Sequence, residues 1–396
     1  MQDILPLIGR SSPLFEEDIN NLFEDLLNIV SSSSFLVLGG AGSIGQAVTK
    51  EIFKRNPVKL HIIDISENNL VELVRDIRSS YGYIDGDFKT FAIDIGSTEY
   101  DAFIENDGLY DFVINLSALK HVRSEEDSYT LMRMIEVNIF NTIKTIKQSA
   151  DMNVKKYFCV STDKAANPAN LMGASKRIME MFLFKHSKEI KISTARFANV
   201  AFSDGSLLHS FNQRIKKNQP LVAPNDIKRY FVTKQESGEL CLLSTIYGHE
   251  RDIFFPNLNE ELHLETFSNI AKRFLNANGY DPYICDSEEE ARLIINELIE
   301  NNKWPLYISK TDTTGEKEIE EFYTNDEFVD LKTFKNIGIV KNEPNFDNKS
   351  LNLFEKRISD IKQKRKWKKQ EIVDIFFDMI PGFNYEEKGR FLDEKM

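Results

Sequence analysis

Residues 35–45 read FLVLGGAGSIG: a short apolar run, Phe35–Leu38, followed by glycines at positions 39, 42 and 45. An apolar run of that length between turn signals is a buried strand, and the stretch from Gly45 to about Lys54 has helical spacing, so the glycines fall in a strand-to-helix turn. Glycine there permits the tight turn and lets the backbone approach a pyrophosphate, which rests on the helix N-terminus beside Gly39, Gly42, Ser43, Ile44 and Gly45. The glycine pattern is common by chance; its setting gives it weight. The next apolar run, Leu60–Ile63, ends at Asp64, 19 residues after Gly45. A carboxylate at that point accepts hydrogen bonds from adenosine ribose hydroxyls and repels a 2′-phosphate, which favours NAD over NADP. Outside that context Asp64 reads as a helix cap or turn residue.

Further apolar runs at Thr90–Ile93, Phe112–Leu116 and Lys156–Val160 alternate with helical patterns. The alternation predicts an α/β, Rossmann-type doubly wound parallel sheet with right-handed crossovers. Residues 35–200 then form the NAD-binding domain with a catalytic segment near its end. Ahead of it, 1–34 reads as an N-terminal helical segment: Ser12 and Pro13 as N-cap and first helical residue, then a stripe of Phe15, Ile19, Leu22, Phe23, Leu26 and Leu27. Beyond residue 200 the alternation becomes irregular. Residues 201–330 read as a smaller substrate-binding lobe that can interleave with the Rossmann domain, and 331–396 as a C-terminal helical extension. Ser287–Asn301 and Leu351–Phe377 carry helical patterns within them.

Composition narrows the function class. The 396 residues are 41% hydrophobic and 28% charged, with a formal charge of −12, which argues against generic nucleic-acid binding. One basic run, Lys362 to Lys369, reads as a solvated helix face, with a partner or anionic-surface site as the alternative. No run of about 18 apolar residues occurs, so no membrane span is expected. Cys159, Cys241 and Cys285 are scattered, with neither a disulfide framework nor metal-ligand spacing. Together with an N-terminal MQDILPLIGR lacking signal-peptide features, they predict a cytoplasmic protein without a metal.

Several later segments carry polar residues at strand ends, where such sheets bind ligands. Asp94 follows the third run in AIDIGS, where it can reach an adenine amino group or serve as a turn residue. After Lys156–Val160 comes STDKAANPANLMGASKR, residues 161–177. The glycine spacing, Asp64, Asp94, NLSALKHV (115–122) and STDK…GASKR together resemble the extended short-chain dehydrogenases. More narrowly, they resemble the polysaccharide-biosynthesis (CapD-like) branch with the UDP-N-acetylglucosamine 4,6-dehydratases. The likeness runs from about Leu5, in LPLIGR, to about Val232. A weaker echo, TGEKEIEEF at Thr314–Phe322, lacks the basic residue expected ahead of Gly-Glu-Lys.

The superfamily's Tyr-x-x-x-Lys reads Met172-Gly-Ala-Ser-Lys176 in this chain. Methionine cannot take the proton of an oxidised hydroxyl, which on chemistry alone fits a non-catalytic, dinucleotide-sensing protein. Configuration-retaining members of the dehydratase branch resemble this chain here, so the resemblance implies retention at C5. It also implies a mechanism in which hydride leaves C4, the C5 proton departs with the C6 hydroxyl, and hydride returns to C6. In that scheme Asp163 is the acid for the departing hydroxyl, Lys164 the C5 base, Thr162 a partner of the C4 oxygen, and Lys176 a holder of the nicotinamide ribose. As a base Lys164 needs its pKa lowered from near ~10.4, by burial and by Lys176 and the cofactor's charge. In an arbitrary loop Asp163-Lys164 would be an exposed ion pair.

The resemblance adds Ile95, Ser117 and Ala118 to the cofactor residues. It gives Lys120, His121, Asn138, Asn199 and Arg229 to the UDP-sugar side. Lys120 and His121 could also be surface residues, and Arg229 a structural salt bridge. A C4 epimerase on the same fold is the alternative enzyme. Ile178, Met179, Met181, Phe182 and Phe184 exceed one core-facing stripe, which predicts a homodimer through that helix or else a fully buried helix.

Overall fold

The computed structural model describes residues 3–258, 262–311, 315–342 and 346–389. Among these residues one sheet contains nine strands: β1 Ser34–Leu38, β2 Lys59–Asp64, β3 Asp87–Ala92, β4 Phe112–Asn115, β5 Lys156–Thr162, β6 Ile192–Phe197, β7 Ile253–Pro256, β8 Phe328–Asp330 and β9 Ile337–Lys341. Their order is β8-β9-β7-β6-β5-β4-β1-β2-β3. β1 to β7 run parallel, and β9 and β8 add antiparallel at one edge. Parallel strands covered by helices on both faces bury both faces, which is why they read as unbroken apolar runs. Phe35 to Leu38, Val113 and Ile114 are all without solvent exposure. The order reverses between β1 and β4, opening a crevice at their C-terminal ends, as expected for a doubly wound Rossmann-type sheet.

A second, smaller layer follows β6. Leu221–Pro224, Asp281–Cys285 and Lys303–Ser309 form a three-stranded parallel sheet, packed with the helices Leu207–Lys216, Phe267–Ala277 and Glu288–Glu300. Its separate core gathers Phe211, Phe274, Trp304 and Leu306, and takes in Leu7 and Ile8 from the chain's start. The intervening chain returns to the main sheet as β7, and β8 and β9 lie on either side of residue 331, so the two layers interleave.

Both ends differ from the sequence expectation. Ser12 and Pro13 lie outside any helix; a short helix Ile4–Leu7 precedes them, and Glu16–Asn21 and Phe23–Ser31, broken at Leu22, follow. Glu236 accounts for the late start, because its carboxylate holds Arg10 at 2.8 and 2.6 Å and the Leu14 amide at 2.8 Å. That draws the chain across the helix Lys234–Tyr247 before it can turn. Phe15 and Leu26 are buried, but Phe23 is 48% exposed and leaves the stripe.

At the other end the basic run is a corner and not one helix face. The helix Asn348–Lys364 stops at left-handed Arg365 (φ 52°), and Lys369–Met379 begins four residues later. Lys362 pairs with Glu136, Lys369 with Glu387, and the Trp367 indole donates to the Ser128 carbonyl at 2.8 Å. The two helices pack on Leu171–His186, with the Phe182 and Phe354 rings 6.3 Å apart. Ile178, Met179, Phe182 and Phe184 are buried within the chain. Four of the five residues expected to pair two copies are therefore buried within the chain, Phe182 against Phe354 of the extension, and Met181 is partly exposed.

Candidate active site

The glycine turn is shaped by close approaches. Gly39 has φ +73°, and a Cβ there would lie 2.7 Å from the Ser117 amide nitrogen. At Gly45 a Cβ would meet the Gly39 carbonyl at 2.3 Å, so the third glycine is what lets the helix Ser43–Phe53 sit on the turn. Gly42, by contrast, has nothing nearer than 3.7 Å and offers open backbone at a helix N-terminus without a side-chain cap. Asp64 braces the turn, accepting from the Ala41 amide (2.9 Å) through Oδ2 and from the Ser66 amide (2.9 Å) through Oδ1. Open backbone, uncapped helix amides and a partly exposed carboxylate fit a dinucleotide's pyrophosphate and ribose.

Around this cradle the predicted residues take distinct positions. Ile95 is buried, and Ile44, Ser117 and Ala118 are partly exposed at the crevice. Asp94 makes a turn contact with the Gly96 amide and an ion pair with Arg133 at 2.9 Å. Burial pushes its carboxyl up, and the Gly96 amide and Arg133 outweigh that and hold it below the ordinary range. The Ser43 hydroxyl donates to Asp204 Oδ2 at 2.9 Å and accepts from the Asp204 amide at 2.9 Å. Lys120 Nζ donates to the Asp204 carbonyl at 2.9 Å, and His121 lies against Gly205. Both predicted basic residues thus border the cradle through the 203–206 turn.

β5, beside β4, carries the segment expected to be catalytic to the C-terminal edge of the sheet. Asp163 begins a single 3-10 turn, and its Oδ1 accepts from Thr162 Oγ1 (2.8 Å), the Lys164 amide (2.8 Å) and Lys164 Nζ (3.2 Å). Lys164 Nζ is also 3.6 Å from Glu320 Oε1, a carboxylate that sequence reasoning missed. Glu320 belongs to the TGEKEIEEF echo, whose Thr314 falls outside the described residues. That echo was the available signal for it.

The pKa expected for Lys164 is reversed. Burial pushes its ammonium down, but Asp163 and Glu320 overcome that and hold it above the ordinary lysine value. Lys176 is not the neighbouring cation; its Nζ donates to the Val160 carbonyl at 3.0 Å, and burial lowers its own pKa. Arg229 is the nearby positive charge, and it is a salt bridge rather than a free phosphate ligand. Its guanidinium binds Glu316 at 2.5 Å and the carbonyls of Lys228 and Lys317 at 2.8 and 2.9 Å. Asn199 lies on a two-residue strand paired with Phe231–Val232, its amide bonded to the Tyr230 carbonyl.

Met172 is buried in the first turn of Leu171–His186. Its amide donates to Glu125 Oε1 at 2.7 Å, a buried carboxylate for which the sequence carries no signal. Asn138 lies in a π-turn, a helical irregularity often found at functional sites. Its amide group donates to the Leu119 carbonyl and Ser175 Oγ (both 3.0 Å) and accepts from the Leu119 amide (2.9 Å). It ties the loop after β4 to the helix Leu171–His186. Behind them, fully buried Arg196 bridges Glu180 and Glu327, and Ser161 donates to the same Glu180, fixing β5, β6 and the helix together.

The chain is 28% identical over 326 residues to a protein of Methanocaldococcus jannaschii named as uncharacterized membrane protein MJ1061, covering 81% of this chain and 89% of that one. No helix among the described residues here is long and apolar enough to cross a membrane. It is 28% identical over 236 residues to the inverting UDP-N-acetylglucosamine 4,6-dehydratase of Campylobacter jejuni, covering 58% and 68%. Proteins named UDP-glucose 4-epimerase match at 29% over 231 residues. The chain spans less than half the length of two further relatives named for polysaccharide biosynthesis. Among solved structures, Pen from Bacillus thuringiensis superposes with a TM-score of 0.63 at 21% identity, covering 78% of this chain and 88% of that one. The family model described as polysaccharide biosynthesis protein matches residues 35–342, well over half of the sequence, and the chain belongs to that family.

Proposed function

We propose that the protein catalyses NAD-dependent 4,6-dehydration of a nucleotide sugar, with UDP-N-acetylglucosamine as substrate and retention at C5. The observation that carries this reading is the acid–lysine pair Asp163-Lys164, a buried carboxylate beside a partly exposed amine at the C-terminal end of a central parallel strand. NAD, when bound, supplies the acceptor and donor of hydride. Asp64 would receive the adenosine ribose and the Ser43–Phe53 helix terminus the pyrophosphate, with Lys176 at the nicotinamide ribose. Thr162 would face the C4 oxygen. Asp163 would protonate the departing C6 hydroxyl through Oδ2, since its hydrogen bonds among the described residues all fall on Oδ1. Lys164, as the amine, would take the C5 proton. Met172 removes the titrating tyrosine and supports the retaining assignment. The three cysteines are free and buried, in keeping with the cytoplasmic location we assign.

A C4 epimerase needs a base at C4 and none at C5, the opposite of what Asp163-Lys164 and Met172 offer. Incubating the purified chain with UDP-N-acetylglucosamine separates the readings by mass spectrometry. A product lighter by one water is the expected result. A C4 epimer of unchanged mass would replace our reading with the epimerase, and unaltered substrate would favour a dinucleotide-binding protein.

A further inference from the structure

Five charged groups meet behind the catalytic turn: Asp163, Glu316 and Glu320 against Lys164 and Arg229. All five side chains are 16% exposed or less. Glu316 is spent on Arg229 at 2.5 Å, and Asp163 Oδ1 already carries three donors. Glu320 Oε1 is different. It is buried, has no hydrogen-bond partner, and stands 3.6 Å from Lys164 Nζ and 3.8 Å from Arg229 Nη2. Nor is it loosely placed. Its segment is fastened by Asn170 to the Gly315 carbonyl (3.0 Å), by Lys228 to the Glu318 carbonyl (3.0 Å), by Asn167 to Glu321 (2.7 Å) and by Arg196 to the Phe322 carbonyl (2.8 Å).

We propose, on the dehydratase reading above, that Glu320 is the proton partner of Lys164. One proton passes from Lys164 Nζ to Glu320 Oε1, turning ammonium and carboxylate into amine and carboxylic acid without gain or loss. The amine then accepts the C5 proton as the C5–H electron pair expels the protonated C6 hydroxyl as water. Glu320 acts through Lys164 and is a positioning residue.

Burial lowers the cost of reaching the exchanged form, because it penalises both charges of the ionic pair and neither group of the neutral one, although the resting lysine stays charged. The cluster also has three acids for two bases: with Asp163 carrying the proton it gives to the C6 oxygen, the other two carboxylates balance the two cations, and Glu320 is ionised and able to take the proton of Lys164. Glu320 is suited to hold that proton: burial pushes its carboxyl up, Asp163 adds to this, and Lys164, Arg229 and Lys317 oppose it. The exchange needs no proton from solvent, which answers how a lysine held above its ordinary pKa can serve as a base near neutrality.

Two measurements on the full chain test this. Reductive methylation of Lys164 with formaldehyde and a borane, followed by peptide mass spectrometry across pH, reports when the amine appears and needs no sugar. Removing an opposite charge at this distance shifts a pKa by about 1–3 pH units, so Glu320→Gln should move the labelling midpoint down by that much. Glu320→Asp should remain near wild type. The second measurement is the pH dependence of dehydration. Wild type and Glu320→Asp should be flat from about pH 6 to 9, whereas Glu320→Gln should gain an acid limb of unit slope, because its Lys164 must lose a proton to water. An unmoved labelling midpoint, or a flat profile in Glu320→Gln, overturns the proposal. A shifted midpoint in a wild-type protein that dehydrates nothing upholds the pair and refutes the proposed function instead.

Discussion

Glu125→Gln should stabilise the protein at alkaline pH and do little in acid. Glu125 has no solvent exposure; Oε1 accepts from the Met172 amide at 2.7 Å, while Oε2 has no partner. Burial pushes its carboxyl from 4.5 up to about 7, against the Met172 and Leu171 amides and Lys369, with Glu387 adding to the rise. Between those values the folded chain holds a proton that the unfolded chain releases, so folding stability falls as pH rises through the window and levels off above it. At about 1.36 kcal/mol per pH unit, the rise amounts to about 3 kcal/mol by pH 8. Glutamine keeps the acceptor for Met172 and cannot ionise. Urea unfolding of both proteins at pH 5 and pH 8 measures the effect. The variant should gain about 2.5 kcal/mol on wild type between the two conditions, since about 0.8 kcal/mol of the effect is already present at pH 5. A difference that stays constant with pH, or runs the other way, refutes the account of this carboxylate.

Asp64→Ala should weaken NAD binding by about 10–100-fold, the loss of charged hydrogen bonds to a ribose, and narrow the gap to NADP. Extraction of bound cofactor and titration of both nucleotides checks this; wild-type protein carrying mainly NADP would contradict it. Phe182→Ala should cost about 3–5 kcal/mol, because the ring is fully buried against Phe354 of the extension, and denaturant titration reads it directly. With that helix covered, sedimentation should give a monomer near the chain mass of 45.8 kDa. A stable dimer at micromolar concentration would place the pairing surface elsewhere.

The Rossmann half was legible because its physics is local. Strands buried on both faces read as apolar runs, and Gly39 and Gly45 fall where a Cβ would strike Ser117 or Gly39. Asp64 ends its strand as expected. What escaped depends on contacts distant in sequence. The late start of the first long helix follows from Glu236 catching Arg10 and Leu14, more than 220 residues away. β7 to β9 are short, and their membership of the main sheet is decided by neighbours. At the site, Thr162, Asp163 and Lys164 were visible as a segment, but the direction of the Lys164 pKa was not, since Glu320 comes from 156 residues downstream. For Arg229 the sequence leaves phosphate ligand and salt bridge both open, because its partner Glu316 lies 87 residues downstream.

The most direct test is the reaction in heavy water. Wild-type protein given UDP-N-acetylglucosamine should release a product one water lighter, carrying one solvent deuterium at C5 with its configuration retained. Lys164→Met should keep cofactor and substrate while losing about 10²–10⁴-fold in rate. An inverted product would overturn the stereochemical assignment and leave Lys164 as the base. A product without deuterium at C5, or a fully active Lys164→Met protein, would contradict the central claim that Lys164 takes the C5 proton.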